Sequence, residues 1–380
     1  MAEVFEKAII EDVDDYGTIA VREEKEEGQE YPNMSIKIEK DQYSIFEMKR
    51  KYDRGLICMD PAFQRNFVWN SKQKSELIES VIMGIPLPLV YLAENKSGEM
   101  IVVDGRQRLT TFIQFLNNEF RLSKLKILSE LNGYNFKDLE NTKKYSRFAT
   151  DIEDFQILVR IIKYPTPDRV RFDIFDRVNR GGTTLNKQEM RNALYQGNAT
   201  VMLKDLAECK EFKEATENSI SPKHMKDRYI ILRAISFWLY HEEELRIQGR
   251  RVEYKSDMEE FLGLSMEFFN AADTGYIEEI KWHFKKVMER IYRVLGKDAF
   301  RIPSASGLRR PISMTLFEAL FYLFMLLGEH VPEDVIREGV KELMQDTEFL
   351  RCLQFSVDSS SAVQTRFEKI YHAYMEMEKC

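Results

Sequence analysis

The stretch from Met100 to Leu116, MIVVDGRQRLTTFIQFL, constrains this chain more than any other. A β-branched apolar run ends at Asp104, a glycine follows, and Leu109, Phe112, Ile113 and Leu116 then recur at helical spacing. Strand, tight turn and helix succeed one another without a spacer, so the fold must place a strand end against a helix N-terminus. Just upstream, LVYLA and MIVVD flank ENKSGE, which reads as a hairpin with Gly98 in the tight position.

The flanks extend this α/β reading. SIKIEK alternates like a short strand, and Ser44 precedes the amphipathic IFEMKRKYDRG, where Gly55 is placed to end a helix. SKQKSELIESVIMG puts Leu77, Ile78, Val81 and Ile82 on one helical face, with Asn70 or Ser71 as cap and Gly84 as stop. FQILVRIIKY at 155–164 reads as a buried strand closed by Pro165 and Pro167. Beyond it strand signals stop, and helical periodicity recurs through 168–178, 187–196, 224–241, 275–295, 313–328, 333–345 and 362–379. The expected class is α+β followed by an all-α region.

At 380 residues the chain exceeds what one hydrophobic core usually supports, which predicts a tail at 1–33, an α/β domain at 34–165 and a helical domain at 166–380. Residues 1–33 hold eleven Asp/Glu against three Lys/Arg, the composition of a flexible acidic tail; the net charge of −7 is therefore −8 there and close to +1 elsewhere. Such a balance neither demands nor forbids a nucleic-acid partner. Cys58, Cys209, Cys352 and Cys380 are scattered without a CxxC pair and read as reduced thiols of a cytoplasmic protein. No apolar run has membrane-spanning length, and MAEVFEKAIIEDVDD is acidic where a secretory signal would be basic and then apolar.

Four groups could carry chemistry. At the junction Asp104-Gly105-Arg106-Gln107-Arg108, a helix N-terminus attracts phosphate, glycine allows close backbone approach, and an arginine can grip phosphate oxygens in a bidentate fashion. Asp104 could orient an arginine or a hydrated metal ion, or it could merely cap the helix. Second, Phe63-Gln64-Arg65, with Phe67 and Trp69 nearby, could stack a base and hold a phosphate, or supply core aromatics. Third, Arg180-Gly181-Gly182-Thr183-Thr184 could close over phosphates, although GxxxxGK[ST] is absent. Asn186 with Glu189 forms a capping box after it, so a structural helix-turn-helix joint stays open as the alternative. Fourth, Lys223 and Lys226, with His224 and Arg228, and Arg309 with Arg310, could contact a nucleic-acid backbone or form solvated faces.

Taken in order, FQRNFVW, LIESVIMGIPLPLVYL, VVDGRQRLTTFIQFL, RVNRGGTTLNKQEMRNALY and DRYIILRAISFW resemble the N-terminal domain of GmrSD-type modification-dependent restriction enzymes, shared with SspE-like phage-defence proteins, over roughly residues 35–240. The resemblance implies a ParB/sulfiredoxin-like fold and a DGQQR motif linked to binding and hydrolysis of a nucleoside triphosphate (GTP, ATP or CTP) with Mg2+. Those roles would fall to Asp104, Gly105, Gln107 and Arg108, with Arg106 standing where the family usually has glutamine. If that glutamine positions water, this chain should bind nucleotide and turn it over poorly. The expected role is a sensor or regulatory subunit of a DNA-restriction system acting with modified or phage DNA, as a monomer or homo-oligomer. Longer relatives end in an HNH nuclease. The five histidines here, His224, His241, His283, His330 and His372, lie in helical or helix-flanking stretches, so a separate nuclease or effector subunit is expected. The alternatives are a ParB-like DNA-binding module that uses no nucleotide, and a scaffold whose helical half binds another protein.

Overall fold

The computed structural model describes residues 37–59, 69–95, 98–164, 166, 170, 171, 174, 186–304 and 309–379. Phe63, Gln64 and Arg65, and likewise Arg180, Gly181, Gly182, Thr183 and Thr184, lie outside the described residues. The described residues divide into two compact units, one within residues 31–184 and the other within residues 185–380.

The first unit is a mixed sheet covered by helices. Strand β1 (Ile38–Ser44) leads into helix α1 (Ile45–Asp53), and β2 (Ile57–Cys58) follows. Helix α2 (Ser71–Ile82) precedes the hairpin β3 (Val90–Glu94) and β4 (Met100–Asp104), and α3 (Arg106–Leu116) leaves β4 directly. Helices α4 (Phe136–Asn141) and α5 (Ser146–Asp154) then deliver β5 (Gln156–Ile162). The strand order is β1-β5-β3-β4-β2, with β1–β5 and β3–β4 antiparallel and β3–β5 and β2–β4 parallel.

Local chemistry explains the boundaries. Ser44 accepts from the Glu47 amide to start α1, and Asn70, not Ser71, caps α2 in a reciprocal box with Gln73. Gly55 and Gly84 both take φ of +71° just past their helices. The first strand begins later than SIKIEK and runs on to Ser44, because pairing with β5 sets its register from Ile38 opposite Ile162 to Ser44 opposite Gln156. The apolar faces of α1, α2 and α3, including Met48, Ile78, Val81, Leu109 and Phe112, meet Val90, Leu92, Val102, Val159 and Ile161 in one core. Each such side chain contributes about 1.5–3 kcal/mol on burial. The irregular stretch after α3 is held by polar groups instead: buried Glu79 accepts from the amides of Ile127 (3.1 Å) and Leu128 (2.8 Å), and Ser75 from that of Ser123 (2.9 Å).

The second unit is helical: α6 (Lys187–Leu194), α7 (Asn198–Glu208), α8 (Lys210–Ala215), α9 (Lys226–His241), α10 (Met258–Ala271), α11 (Thr274–Leu295), α12 (Met314–Leu326), α13 (Glu333–Leu343), α14 (Thr347–Gln354) and α15 (Ser360–Met377). Helices α7, α8, α10 and α14 were not expected from periodicity, since they are short or, in α10, apolar on several faces around Gly263 and Ser265. Strand signals do not stop at residue 164: β6 (Arg246–Ile247) and β7 (Arg250–Arg251) form a hairpin whose Gln248 and Gly249 both have positive φ. Two-residue strands are too short to show alternation.

Helices α9 and α12 are buried almost all round and form the centre of this unit. Their one charged meeting is Arg233 with Glu318, Nε to Oε2 at 2.7 Å. Asp358 takes a second Arg233 nitrogen at 2.8 Å, and Arg366 reaches Glu318 at 2.6 Å. Two cations and two carboxylates balance there, as a buried ionic group requires. Cys58, Cys209 and Cys352 form no disulfide, and no helix among the described residues is long and apolar enough to cross a membrane.

Candidate functional site

Gly105 sits between β4 and α3 with φ of +94°, a left-handed conformation that side chains rarely adopt. Space excludes a side chain as well: an ideal Cβ there would stand 2.7 Å from Val90 Cγ2 and 3.2 Å from an Arg108 nitrogen. The chain therefore turns from strand into helix against the start of β3 with no intervening atom. Because Gly105 occupies the N-cap position, no side chain caps α3, and its first turn holds no acidic residue. The positive end of the helix dipole is thus open to an anion.

The flanking side chains divide into two kinds. Arg108 turns inward: its guanidinium donates to the carbonyls of Pro88 and Leu89 (3.0 Å for the latter) and to Asp104 Oδ2 (3.1 Å). Burial pulls its pKa below the ordinary arginine range, and Asp104 offsets part of that. Asp104, rather than capping α3, is this arginine's partner one helical turn away, with a third of its side chain exposed. Gln107 is different, since its Oε1 is buried without a hydrogen-bond partner among the described residues. An orphaned buried acceptor costs about 1–3 kcal/mol, so it marks a place where a donor is wanted. Arg106 stands beside it on the first turn of α3, half-buried.

These groups can receive a phosphate at the head of α3, a donor at Gln107 Oε1, and a hydrated cation at the outer oxygen of Asp104. Among the described residues no group of three or more His, Cys, Asp or Glu is arranged to hold a metal ion. A magnesium ion would therefore draw most of its ligands from a bound phosphate chain and water, as it commonly does. Trp69 packs against the core of the first unit, as the structural alternative for that aromatic segment anticipates.

The other expected contacts lie in the second unit. The capping box of Asn186 and Glu189 is present, and Asn186 Nδ2 also donates to the His224 carbonyl at 2.6 Å. His224 and Met225 hold left-handed backbone, φ +61° and +57°, immediately before α9. Lys223 is exposed and Lys226 half-buried, and neither forms an ion pair among the described residues. Arg309, by contrast, is occupied by Asp298 (2.7 Å) and Glu217. Arg301, whose guanidinium donates to the Arg310 carbonyl, also reaches Ser219 at 3.0 Å, so residues 217–219 adjoin Arg301 and Arg309.

Sequence reasoning missed the polar interior of α6. Gln188, Glu189, Arg191 and Asn192 are all buried; Arg191 donates to Gln188 and to Glu259 at 2.5 Å and lies over the Tyr229 ring. A charged, polar helix reads as solvated unless its partners on α9 and α10 are known, so no local signal would have found it.

Residues 43–196 match the family model described as the GmrSD restriction endonuclease, N-terminal domain. That span runs from the end of β1 to just past α6. No curated protein and no solved structure matches the chain.

Proposed function

We propose that this chain, which carries a GmrSD-type N-terminal domain at residues 43–196, is a nucleotide-binding regulatory component of a DNA-restriction system. The reading is carried by the conjunction at the β4–α3 junction: an uncapped helix start on a glycine where any side chain would be strained and would crowd Val90, beside Gln107 Oε1, which is orphaned among the described residues. The phosphates of a nucleoside triphosphate (GTP, ATP or CTP) lie at the head of α3 and accept from its first-turn amides. Gln107 and Arg106 make the side-chain contacts, and Phe63, Gln64, Arg65, Arg180, Gly181 and Gly182 are candidates to complete them. Asp104 would help to hold Mg2+, which would offset the charge of the phosphates. Arg108 is a positioning residue, because its donors hold the 88–89 carbonyls and Asp104. With Arg106 where the family has glutamine, binding outlasts turnover. A separate nuclease or effector subunit is the chain's proposed partner.

Calorimetric titration of GTP, ATP and CTP with magnesium tests the proposal. Saturable binding of one of them, weakened in Gln107→Leu and accompanied by faster hydrolysis in Arg106→Gln, is expected. No binding of any of the three to folded protein overturns it. The second reading would then stand: a DNA-binding module without nucleotide, favoured by the ammonium groups of Lys223 and Lys226, which form no ion pair among the described residues, with Arg310 beside Arg309 on the adjoining segment. Its mark is a DNA affinity that falls steeply with salt and ignores nucleotide.

A further inference from the structure

Between α13 and α15 lies a cleft of about 670 Å³, remote in sequence from the β4–α3 junction. Its floor is apolar, formed by Val335, Leu343, Ala373 and Met377. Gly339 makes the floor: a Cβ there would collide with the Met377 side chain, so the two helices can approach and leave a trough above. The walls carry Glu338, Glu342, Asp346, Glu348, Glu368 and Glu376 against a single lysine, Lys369, and His372.

That lysine does not neutralise the walls, because it is already held by Asp346 and Glu348, each at 2.8 Å. Lys341 is likewise taken by Glu338 at 2.8 Å. Glu342 and Glu368, on opposite walls and exposed, form no ion pair among the described residues; Glu368 accepts there only from the neutral Gln364. An apolar trough with anionic rims complements an amphipathic helix whose apolar stripe is flanked by Lys and Arg. The same sign of charge excludes a nucleic-acid backbone, and it excludes the acidic residues 1–33 as well.

We propose that this cleft is the docking site for a basic amphipathic helix of a partner protein. The helix lays its apolar face along Val335, Leu343, Ala373 and Met377, and its cations meet Glu342 and Glu368. The proposal is independent of nucleotide binding at Gly105.

The test uses the full chain and a fluorescent peptide of about 15 residues, leucine and lysine at helical spacing, long enough to span α13. Anisotropy should show saturable binding that weakens by about tenfold or more when Glu342→Lys and Glu368→Lys are combined, since two attractive pairs become repulsive. Reversing Glu208 and Glu214 on α7 and α8 to lysine should leave affinity nearly unchanged, as should the melting curves of all variants, because these side chains are exposed. A peptide with serine in place of leucine should not bind. Three results overturn the proposal: equal losses from both pairs of reversals, equal binding of the serine peptide, or self-association that Glu342→Lys abolishes, which would put a second copy of the chain in the cleft.

Discussion

Arg108, in the first turn of α3, grips Asp104 at the end of β4 at 3.1 Å while donating to the Leu89 carbonyl at 3.0 Å, so one guanidinium ties the helix start to the entry of β3. The arginine of this motif is therefore spent on shape. It fixes the segment that holds Val90 against Gly105, and the turn from β4 into α3 is packed on that contact.

Replacing Arg108 should accordingly weaken the first unit as well as any ligand affinity. Arg108→Ala removes donors from two carbonyls and leaves Asp104 uncompensated, a loss of about 1.5–3 kcal/mol. Arg108→Lys keeps the charge but not the fork, and should recover less than half of it. Urea unfolding of the full chain, followed by a probe in residues 31–184, measures both.

Gly105→Ala should destabilise by about 2–3 kcal/mol, combining left-handed strain with the clash on Val90. The two parts separate in a double-mutant cycle. Val90→Ala opens the space but leaves φ at +94°, so it should rescue only the steric part in the Gly105→Ala background. Full rescue would mean that the backbone relaxes and the glycine is needed for space alone.

Much of this fold is legible because its punctuation is local. Ser44, Asn70, Gly84 and the Asn186–Glu189 box act within a turn of their own positions, and all are where the sequence puts them. What escapes is whatever depends on distant partners. Arg108 meets carbonyls 19 and 20 residues upstream, and Arg309 meets Glu217, 92 residues away. An arginine that reads as a phosphate or nucleic-acid contact is indistinguishable, in one dimension, from one already paired. Arg191 is the reverse case, a cation at zero exposure whose partner Glu259 lies on another helix.

Glu318 is the keystone of the second unit. It is wholly buried, accepts from Arg233 and forms an ion pair with Arg366, with Asp358 balancing the second cation. Glu318→Gln leaves one surplus positive charge in the interior, which should cost about 3–5 kcal/mol. Exchanging the group for apolar residues of similar volume should restore most of that stability, because the pairs themselves yield little net energy. Thermal melts of the single and the combined variants distinguish a surplus charge from lost packing.

His241 should make stability depend on pH on the acid side. Its ring packs 4.2 Å from that of Phe367 and 5.2 Å from that of Tyr322, and its Nε2 has no hydrogen-bond partner among the described residues. Burial first, then Arg251 and Arg366, press its pKa down from 6.5 to about 4. The folded state thus holds the neutral ring while the unfolded chain takes up a proton below 6.5. Its contribution is complete above pH 6.5 and is lost progressively as pH falls to about 4, amounting to about 2–3 kcal/mol. His241→Phe should flatten urea midpoints across that interval relative to the parent chain. A parent and variant with parallel midpoints from pH 6.5 to 4.5 would show that the imidazole titrates in the folded protein at its ordinary value.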